Sequence, residues 1–431
     1  MRRGAWAALA VPVAITAAFA LGTIVGNLTV PQTPVVRKVG EIDRIVRSLY
    51  PEELPPEKLE RSAIDGLLRA VDLYSEYFTA EEWVEWQQRH MSGKFVGVGI
   101  HVEPDKETGY ILITTPVEDS PAFAADILPG DMIVAVDGED IQGRLLNDIV
   151  RRIKGEAGTK VRLTLHRKDR DRFDVELTRA EIKNQAVRHK MVDPEIGYVR
   201  ISDFTEMLPD FDRATTELRK QGLKALVIDL RFNGGGLLQA AVDLCDRFLP
   251  PDRDVARSVG RSKSDERIYR TRDSKDLPEM PLVVLTNGAT ASASEIFAGA
   301  IRDHGLGVLV GGRTYGKGTV QTPFDLSDGS HLKLTTARWF TPNGIHVTRK
   351  EGSADHGLLP DFVVEMTREE ELALLKQWSY ERIVKGPRPE GPPVRDFALE
   401  AGLEILRAKL AKRPPSVTRR EVAKLPGSDP K

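Results

Sequence analysis

The sequence predicts an α/β core that is preceded by a β-rich domain and a helical N-terminal region. Over residues 196–364, short apolar runs alternate with helical patterns, which is typical of strands and helices around a mainly parallel sheet. Over 95–182 the apolar residues follow the two-residue period of strands, and over 41–88 they recur every three or four residues, as in amphipathic helices. The predicted segments are an apolar segment and linker (1–35), a helical region (36–92), a β-rich domain (93–182), the α/β core (183–385), and a C-terminal linker with a short helix and a disordered tail (386–431).

The composition excludes several classes of protein. The 431 residues include 62 basic and 64 acidic side chains, for a formal net charge of −2. Nucleic acid is excluded as a partner because phosphate binding needs a basic field. A single cysteine, Cys245, excludes an internal disulfide and a zinc site with several cysteine ligands. It lies in a helical pattern, which predicts a buried structural thiol, and no metal or cofactor is predicted.

The N-terminal residues predict a membrane anchor. Residues 5–25 form an uncharged apolar run of 21 residues, which is long enough to span a bilayer core. Arg2 and Arg3 precede this run and keep the N-terminus on the cytoplasmic side. Residues 18–20 (Ala-Phe-Ala) would also serve as a signal-cleavage site, but the apolar run continues beyond them, so we favour an uncleaved inner-membrane anchor. Whether the segment is an anchor or a cleaved signal, the remaining chain is expected to be exported to the cell envelope, on its periplasmic or extracytoplasmic side.

The helical region that follows is interpreted as a cap. Its apolar residues are spaced so that one face of each helix is apolar. Such a face can also pair with a second copy of the chain, so a homo-oligomer is one predicted form.

The β-rich domain resembles a PDZ domain. Residues 120–138 match the PDZ signature, with Asp126 where glycine is usual, and 147–154 match its peptide-flanking helix. The resemblance implies that a peptide's C-terminal carboxylate binds at a concavity of successive backbone N–H groups and that the peptide then pairs with the next strand edge. The residues that match this peptide-binding loop are Gly97, Val98, Gly99 and Ile100.

One serine of the α/β core lies where a helix begins. The apolar run 281–286 predicts a buried strand, Asn287-Gly288 a turn, and the Ala- and Ser-rich stretch after it a helix. Ser292 lies at this junction. Free N–H groups and the positive end of the helix dipole stabilise negative charge there, so the position is suited to forming an oxyanion.

A lysine follows this serine by 25 residues. Lys317 lies between two glycines and precedes Thr319 and Gln321 in a stretch that predicts a strand. Residues two apart on a strand share a face, so Lys317, Thr319 and Gln321 are expected on one face of it.

Together these motifs resemble the C-terminal processing peptidases, which are tail-specific serine proteases of the S41 family. The order of that family's motifs is followed by the block at 290–296, then by Lys317 and then by Gln321. The block begins with threonine where the family's first serine is usual. The resemblance covers approximately residues 40–385. It implies Ser292 as nucleophile, Lys317 as its base and Gln321 as the orienting residue. It also implies a crotonase-like α/β core and, as substrates, unfolded or C-terminally exposed proteins.

A glycine-rich stretch follows another predicted strand. Residues 229–236 read Asp-Leu-Arg-Phe-Asn-Gly-Gly-Gly and lack both the Gly-Lys-Ser/Thr ending of a phosphate loop and a dinucleotide fingerprint. In the resembling family an N–H of this stretch completes the oxyanion hole, so Gly235 or Gly236 is expected to act with Ala293. Gly234 replaces a proline of the family, which predicts a more flexible loop.

The chemistry of the predicted site requires a neutral lysine. Serine is a weak nucleophile until a base takes its proton, and apolar surroundings lower a lysine pKa. Asp303 and His304 lie about three helical turns beyond Ser292, roughly 18 Å along the axis, too far for a Ser-His-Asp site. Neither a G-x-S-x-G nor an H-E-x-x-H motif occurs. The alternative function is a catalytically silent PDZ adaptor that binds the C-termini of envelope proteins.

Overall fold

The structure is a computed structural model, and it describes most of the chain beyond the N-terminal segment. It describes residues 33–417 and 420, apart from 73, 92–93, 106–107, 117–119, 129, 145, 168–169, 184–185, 273–276, 350–355 and 383–393. The predicted anchor at 5–25 and the tail from 421 onward lie outside the described residues. The chain forms two compact units: the first comprises Met1–Gln87, Ser258–Glu266 and Thr319–Trp339, and the second comprises Gln88–Arg257, Arg267–Gly318 and Phe340–Lys431.

Ten α-helices, one short 3-10 helix (Lys263–Asp265) and nineteen strands are found in the described part of the chain. The helices are α1 Pro34–Leu49, α2 Pro56–Arg69, α3 Ala80–Met91, α4 Pro121–Ala124, α5 Leu146–Ile153, α6 Leu208–Lys220, α7 Leu238–Cys245, α8 Ala293–Asp303, α9 Arg368–Arg382 and α10 Phe397–Leu410. The strands are β1 Glu76–Phe78, β2 Lys94–Gly97, β3 Ile100–Pro104, β4 Ile111–Pro116, β5 Met132–Val136, β6 Glu139–Asp140, β7 Lys160–Arg167, β8 Arg170–Thr178, β9 Ala180–Lys183, β10 Val187–Asp193, β11 Ile196–Ile201, β12 Ala225–Asp229, β13 Asp254–Gly260, β14 Arg267–Arg270, β15 Leu282–Thr286, β16 Gly307–Gly311, β17 Thr319–Asp325, β18 His331–Phe340 and β19 Phe362–Val363. None of these described helices has the length and apolar character that a bilayer span requires.

The first unit combines helices with a short strand inside the region predicted to be helical. Strand β1 lies between α2 and α3 and pairs antiparallel with β18, with Tyr77 opposite Leu332. The Asp72 carboxylate accepts the backbone N–H of Tyr74 at 2.7 Å, which turns the chain out of the helical conformation before the strand begins. The strand's partner lies more than 250 residues away in sequence, so the local pattern could not predict this pairing.

The β-rich domain lies in the second unit, and β3 and β8 are the two edge strands of its main sheet. Its sheet has the order β3-β4-β5-β7-β8, with β6 paired to β5, and β2 pairs separately with β9. Its core is apolar, and α5 contributes Ile149 and Ile153 to it, both buried. Asp126, which replaces the usual glycine, has a φ of 55°, the left-handed conformation in which glycine is favoured. The edge strand β3 is the strand that a peptide would extend.

The α/β core is built on a mainly parallel sheet, as predicted, and this sheet has six strands. Its order is β10-β11-β12-β15-β16-β19; β10 runs antiparallel to β11, and the other neighbours are parallel. The central strands are buried along their whole length, which explains why they appear in the sequence as unbroken apolar runs. Helix α10 packs on one face through Ile405 and Leu406.

Three neighbouring strands of this sheet end at the same level. Asp229 at the end of β12 lies opposite Leu285 of β15, and Thr286 at the end of β15 lies opposite Gly311 of β16. Because parallel strands share one carboxyl edge, the loops that follow these strands leave the sheet side by side. Those loops carry the glycine-rich stretch, Ser292 and Lys317, respectively.

The C-terminal segment is more ordered than the sequence predicted. Helix α10 begins after Asp396, whose carboxylate caps it by accepting the N–H of Leu399. Arg420 lies in the tail predicted to be disordered, yet it forms a β-bridge with Val364, and its guanidinium lies 2.7 Å from the Glu370 carboxylate. A backbone pairing and a charge partner supplied by the core order this residue, and neither is visible in the polar local sequence.

Candidate active site

Two loops interlock at the carboxyl edge of the sheet: the glycine loop, residues 231–236, and the serine loop, residues 287–292. The backbone oxygen of Asn233 accepts hydrogen bonds from the N–H of Ala291 at 3.0 Å and from Ser294 Oγ at 3.1 Å. Thr290 Oγ1 donates to the oxygen of Leu230 at 2.9 Å. The position of each loop is therefore determined by the other.

The contacts of Thr290 explain why threonine is tolerated at this position, where the resembling family usually has serine. Its side chain is fully buried, and its hydroxyl, besides donating to Leu230, accepts the N–H of Asn287 at 3.0 Å. The hydroxyl makes both hydrogen bonds, and threonine supplies that group as well as serine does.

Ser292 has a strained backbone. It is the N-cap of α8, with φ 57° and ψ −118°, a conformation that costs a non-glycine residue about 1–3 kcal/mol. A sharp, strained turn from strand to helix is also how α/β-hydrolases present their nucleophilic serine. Here the same arrangement occurs without the G-x-S-x-G sequence. The residue is half-buried, although it lies between the buried Ala291 and Ala293.

Glu295 links the serine to the lysine, which the sequence analysis missed. Its carboxylate is fully buried, and its Oε2 accepts the backbone N–H of both Ser292 and Lys317, each at 2.9 Å. Its Oε1 accepts the N–H of Gly316 at 2.8 Å and the Thr314 hydroxyl at 2.6 Å. Burial raises the pKa of this carboxyl, and the four donors oppose that rise. One feature of the sequence could have revealed this role of Glu295: a glutamate lies three residues after a serine at a helix start, as in a capping box.

Lys317 does not lie on a strand, so that prediction was wrong. Strand β17 begins two residues later, at Thr319, because the N–H of Lys317 donates to Glu295 instead of to a strand partner. The flanking glycines allow a close backbone approach: a Cβ at Gly316 would lie 2.7 Å from the Val347 oxygen, and one at Gly318 would lie 2.8 Å from the Thr348 nitrogen. The backbone on both sides of the half-buried lysine is thus packed against residues 347–348.

Two of the candidate oxyanion donors, Gly235 and Ala293, lie together beside Ser292. A Cβ on Gly235 would lie 2.8 Å from Ser292 Cβ and 2.9 Å from the nitrogen of Ala293. The N–H of Gly235 donates to Asn233 Oδ1 at 2.9 Å. In the described part of the chain, by contrast, no acceptor binds the N–H of Ala293 or of Gly236. The glycine loop is also held by these contacts in spite of Gly234, the residue for which the sequence predicts a more flexible loop.

Gln321 belongs to the first unit, on β17. Its side-chain Nε2 donates to Thr319 Oγ1 at 2.8 Å and to Thr335 Oγ1 at 3.1 Å. Both hydrogens of the amide are therefore used, and Oε1 is the remaining acceptor of the group.

The predicted peptide-binding loop joins β2 to β3. Gly97 ends β2 opposite Ala180, Val98 is buried, and Ile100 begins the edge strand β3. Gly99 has a φ of 81°, and a Cβ there would lie 2.1 Å from Ser120 Cβ. Only glycine fits this turn, which packs directly on the start of α4.

The other reactive side chains considered in the sequence have structural partners. Asp303 Oδ2 accepts the N–H of Asn343 at 3.0 Å, and His304 Nε2 lies 2.7 Å from the oxygen of Asp254. Cys245 is fully buried, as predicted, and burial raises the pKa of its thiol. None of these three groups is placed as a nucleophile or base.

Comparison with known proteins agrees with this geometry. The sequence profile of Peptidase family S41 matches residues 195–364, and that of the PDZ domain matches residues 112–167. The chain is 36% identical over 334 residues to the carboxy-terminal-processing protease of Bartonella bacilliformis, which covers 76% of this chain and 74% of that protein. It is 34% identical over 343 residues to a protein named as a probable CtpA-like serine protease of Staphylococcus aureus (strain N315), which covers 79% of this chain and 67% of that protein.

The fold is shared with a solved structure of lower identity. The crystal structure of a candidate S41 protease from Bacteroides fragilis NCTC 9343 has a TM-score of 0.50 and 18% identity, over 86% of this chain and 97% of that chain. The sequence relationships and the matching profiles agree with the fold, and they set aside the interpretation as a silent adaptor. The chain belongs to peptidase family S41 and is a serine-type peptidase that carries a PDZ domain.

Proposed function

We propose that Ser292 and Lys317 form the catalytic dyad of this peptidase and that it cleaves unfolded or C-terminally exposed proteins from their C-terminal tails. The observation that carries this proposal is the single oxygen of Glu295 that accepts the backbone N–H of both residues. A shared acceptor holds the two backbones together however the side chains move. The name of the Bartonella relative, a carboxy-terminal-processing protease, supports the substrate class.

In the proposed reaction the Ser292 hydroxyl attacks the carbonyl carbon of the scissile peptide bond. The neutral Lys317 amine takes the hydroxyl proton and then gives a proton to the departing amine, which leaves an acyl ester on Ser292 that water hydrolyses. Gln321 would orient the lysine amine by accepting a hydrogen bond on Oε1, because its Nε2 is already used by two threonines. A glutamine orients the amine without adding a charge that would raise the lysine pKa.

We assign the tetrahedral oxyanion to the N–H groups of Ala293 and Gly236. Ala293 packs against Gly235, and Gly236 follows it in the chain, whereas the N–H of Gly235 itself is used by Asn233. Each such donor is typically worth about 3–4 kcal/mol in the transition state. The role of Gly235 is then to allow the glycine loop to approach the serine loop.

A matched pair of glycine variants tests this assignment. Gly235→Ala is expected to lower kcat on the order of 10²-fold, comparable to the loss of one oxyanion donor, because its Cβ would lie 2.8 Å from the Ala291 oxygen and Ser292 Cβ. Gly234→Ala is the control, since a Cβ there meets nothing within 4 Å. Cleavage rates of the two purified variants would be compared after their folding is checked by circular dichroism. A fully active Gly235→Ala variant would contradict the assignment.

The PDZ domain is proposed to receive the substrate's C-terminal carboxylate at Gly97, Val98, Gly99 and Ile100. The loop precedes an edge strand that a peptide can extend. Two peptides of one sequence, with a free and an amidated C-terminus, form a matched test because only the terminal charge differs. The amidated peptide is expected to bind more weakly and to be cleaved more slowly. Equal cleavage rates would leave the PDZ domain as a spacer.

Residues 5–25 are proposed to anchor the enzyme in the inner membrane, with its catalytic part in the cell envelope. The proposal rests on the uncharged 21-residue run after Arg2 and Arg3. N-terminal sequencing of the exported protein distinguishes the two interpretations. An intact Met1 in the membrane fraction is expected, whereas a mature N-terminus at Leu21 would mean a cleaved signal peptide.

A second copy of the chain is proposed to pair through α1. The apolar residues of this helix recur at alternating spacings of four and three, as in a coiled-coil seam. Their side chains are largely exposed, with exposed fractions of 57% for Val35, 45% for Val39, 53% for Ile42 and 76% for Leu49. Light scattering on the chain from residue 33, which keeps the whole of α1, is expected to give the mass of a dimer, and Ile42→Asp is expected to lower it to that of a monomer. A monomeric unsubstituted chain would contradict this pairing.

A further inference from the structure

We propose that α9 and the start of α10 hold the glycine loop in its catalytic position, with Asp396 and Glu371 as positioning residues. The inference rests on the proposed function, since the glycine loop contributes the oxyanion donor Gly236. Neither residue belongs to the peptidase motifs, and the sequence indicated only a charged helix and one more short helix in this region.

Asp396 holds the first residue of the glycine loop. The Arg231 guanidinium forms two parallel hydrogen bonds to the Asp396 carboxylate, both at 2.7 Å, and its Nη2 lies 2.6 Å from Asp229 Oδ2. The side chains of Arg231 and Asp396 are 3% and 13% exposed. A buried guanidinium is stable only where its charge is compensated. The two carboxylates, one at the end of β12 and one at the start of α10, therefore determine where the loop begins.

Glu371 holds the side chain that joins the two loops. Asn287 Oδ1 accepts the N–H of Phe232 in the glycine loop at 3.0 Å and that of Ala289 in the serine loop at 3.2 Å. Asn287 Nδ2 donates to Glu371 Oε1 of α9 at 2.9 Å. The glutamate can only accept, so it keeps the amide turned with its oxygen toward both loops.

Trp378 covers the same loop from α9. Its ring meets the Phe232 ring edge-on, with centroids 5.9 Å apart, and lies 5.1 Å from the Arg231 guanidinium carbon. Phe232 has a φ of 61°, and a non-glycine residue keeps this conformation only where its surroundings impose it. The C-terminal helices thus contact Arg231 and Phe232 directly and Asn287 through its side chain.

These contacts hold the first part of the glycine loop, and backbone hydrogen bonds to Phe204 hold its end. Together they are inferred to orient the Gly236 N–H, four residues beyond Phe232. Losing one of them is expected to weaken transition-state binding while leaving substrate binding unchanged, because oxyanion donors act only once the carbonyl becomes tetrahedral. The kinetic effect of losing a residue that positions this loop therefore differs from that of losing a residue that contributes only to stability.

Three variants of the full chain separate these effects. Asp396→Asn loses the carboxylate that faces Arg231 but keeps the cap of α10, since asparagine caps helices as well as aspartate does. Glu371→Ala removes the acceptor for Asn287. Glu370→Ala is its matched control on the same turn of α9, because Glu370 binds Arg420 and the N–H of Thr367 and does not contact either loop.

We expect Asp396→Asn and Glu371→Ala each to lower kcat on the order of tenfold, a part of the loss caused by removing a donor, with KM nearly unchanged. A peptide aldehyde, whose adduct with Ser292 carries the tetrahedral oxyanion, is expected to lose affinity by the same factor. Glu370→Ala is expected to keep the wild-type values of kcat and aldehyde affinity, even where its melting temperature falls.

The outcomes distinguish this inference from the proposed function. Wild-type kcat and aldehyde affinity in both Asp396→Asn and Glu371→Ala would overturn the positioning role while leaving the dyad intact. A loss shared equally by Glu370→Ala, or one that leaves aldehyde affinity unchanged, would also overturn it. If Asp396→Asn does not fold, the comparison of Glu370→Ala with Glu371→Ala decides whether the positioning role holds. A wild-type enzyme that cleaves nothing would instead overturn the proposed function, and this inference with it.

Discussion

Ser292→Ala is expected to abolish peptide-bond cleavage and to leave the fold intact. Removal of the nucleophile from a serine peptidase lowers kcat on the order of 10⁶-fold. The substitution removes one half-buried oxygen, and alanine bears the same backbone strain at φ 57° as serine does. The Glu295 contact is kept because it uses the backbone N–H of residue 292. Cleavage of an unfolded protein and thermal unfolding of the variant measure the two parts of this prediction.

Ser294→Ala is the matched control for this prediction. Ser294 lies in the same block and is fully buried, and its hydroxyl donates to Asn233 at 3.1 Å. Its loss is expected to cost about 1 kcal/mol of folding free energy, as for an ordinary hydrogen bond, while cleavage continues. Continued cleavage by folded Ser292→Ala would assign the nucleophile elsewhere.

Lys317→Arg is expected to be as inactive as Lys317→Ala, although it keeps the positive charge. A guanidinium does not give up its proton in the accessible pH range, so it cannot act as the base. The backbone N–H of residue 317 still reaches Glu295, so the loss would report on the amine and not on the loop. The measurement is the cleavage rate of each variant and of the unsubstituted enzyme at neutral and at alkaline pH.

Lys224→Arg is the control for the lysine variant. Lys224 is exposed and pairs with Glu195 on the surface of the second unit, where exchanging lysine for arginine is expected to change stability by no more than about 0.5 kcal/mol. An active Lys317→Arg enzyme would point to another base, and the proposed dyad would then be abandoned.

The local sequence predicted the core strands well because their physical causes are local. Strands β12 and β15 are buried on both faces, so their residues form uninterrupted apolar runs. The turn at Asn287 and the residues after it predict a helix start, and α8 does begin directly after Ser292. The PDZ signature and the peptidase motifs are likewise contiguous or ordered along the chain, and the fold class and family followed from them.

Interactions between distant segments explain where the local pattern failed. The local sequence around Lys317 predicted a strand there. In the structure, a carboxylate 22 residues earlier accepts the backbone N–H of Lys317, which in a strand would donate to a neighbouring strand. Strand β1 exists because β18 pairs with it. Arg420 is ordered by Val364 and Glu370. In each case the partner that determines the conformation lies outside the local stretch of sequence.

By itself the sequence determined the α/β class, the PDZ domain, the family and the residues proposed for the dyad, because each of these depends on periodicity or on a motif. The tertiary structure alone decided how the site is held together. It brought Glu295 to the backbones of Ser292 and Lys317, brought the Ser294 hydroxyl to the backbone oxygen of Asn233, and placed Asp396 on Arg231, 165 residues away in sequence. The physical reason is that a buried polar group must find its partner wherever the fold provides one, and that choice is made only when the chain is folded.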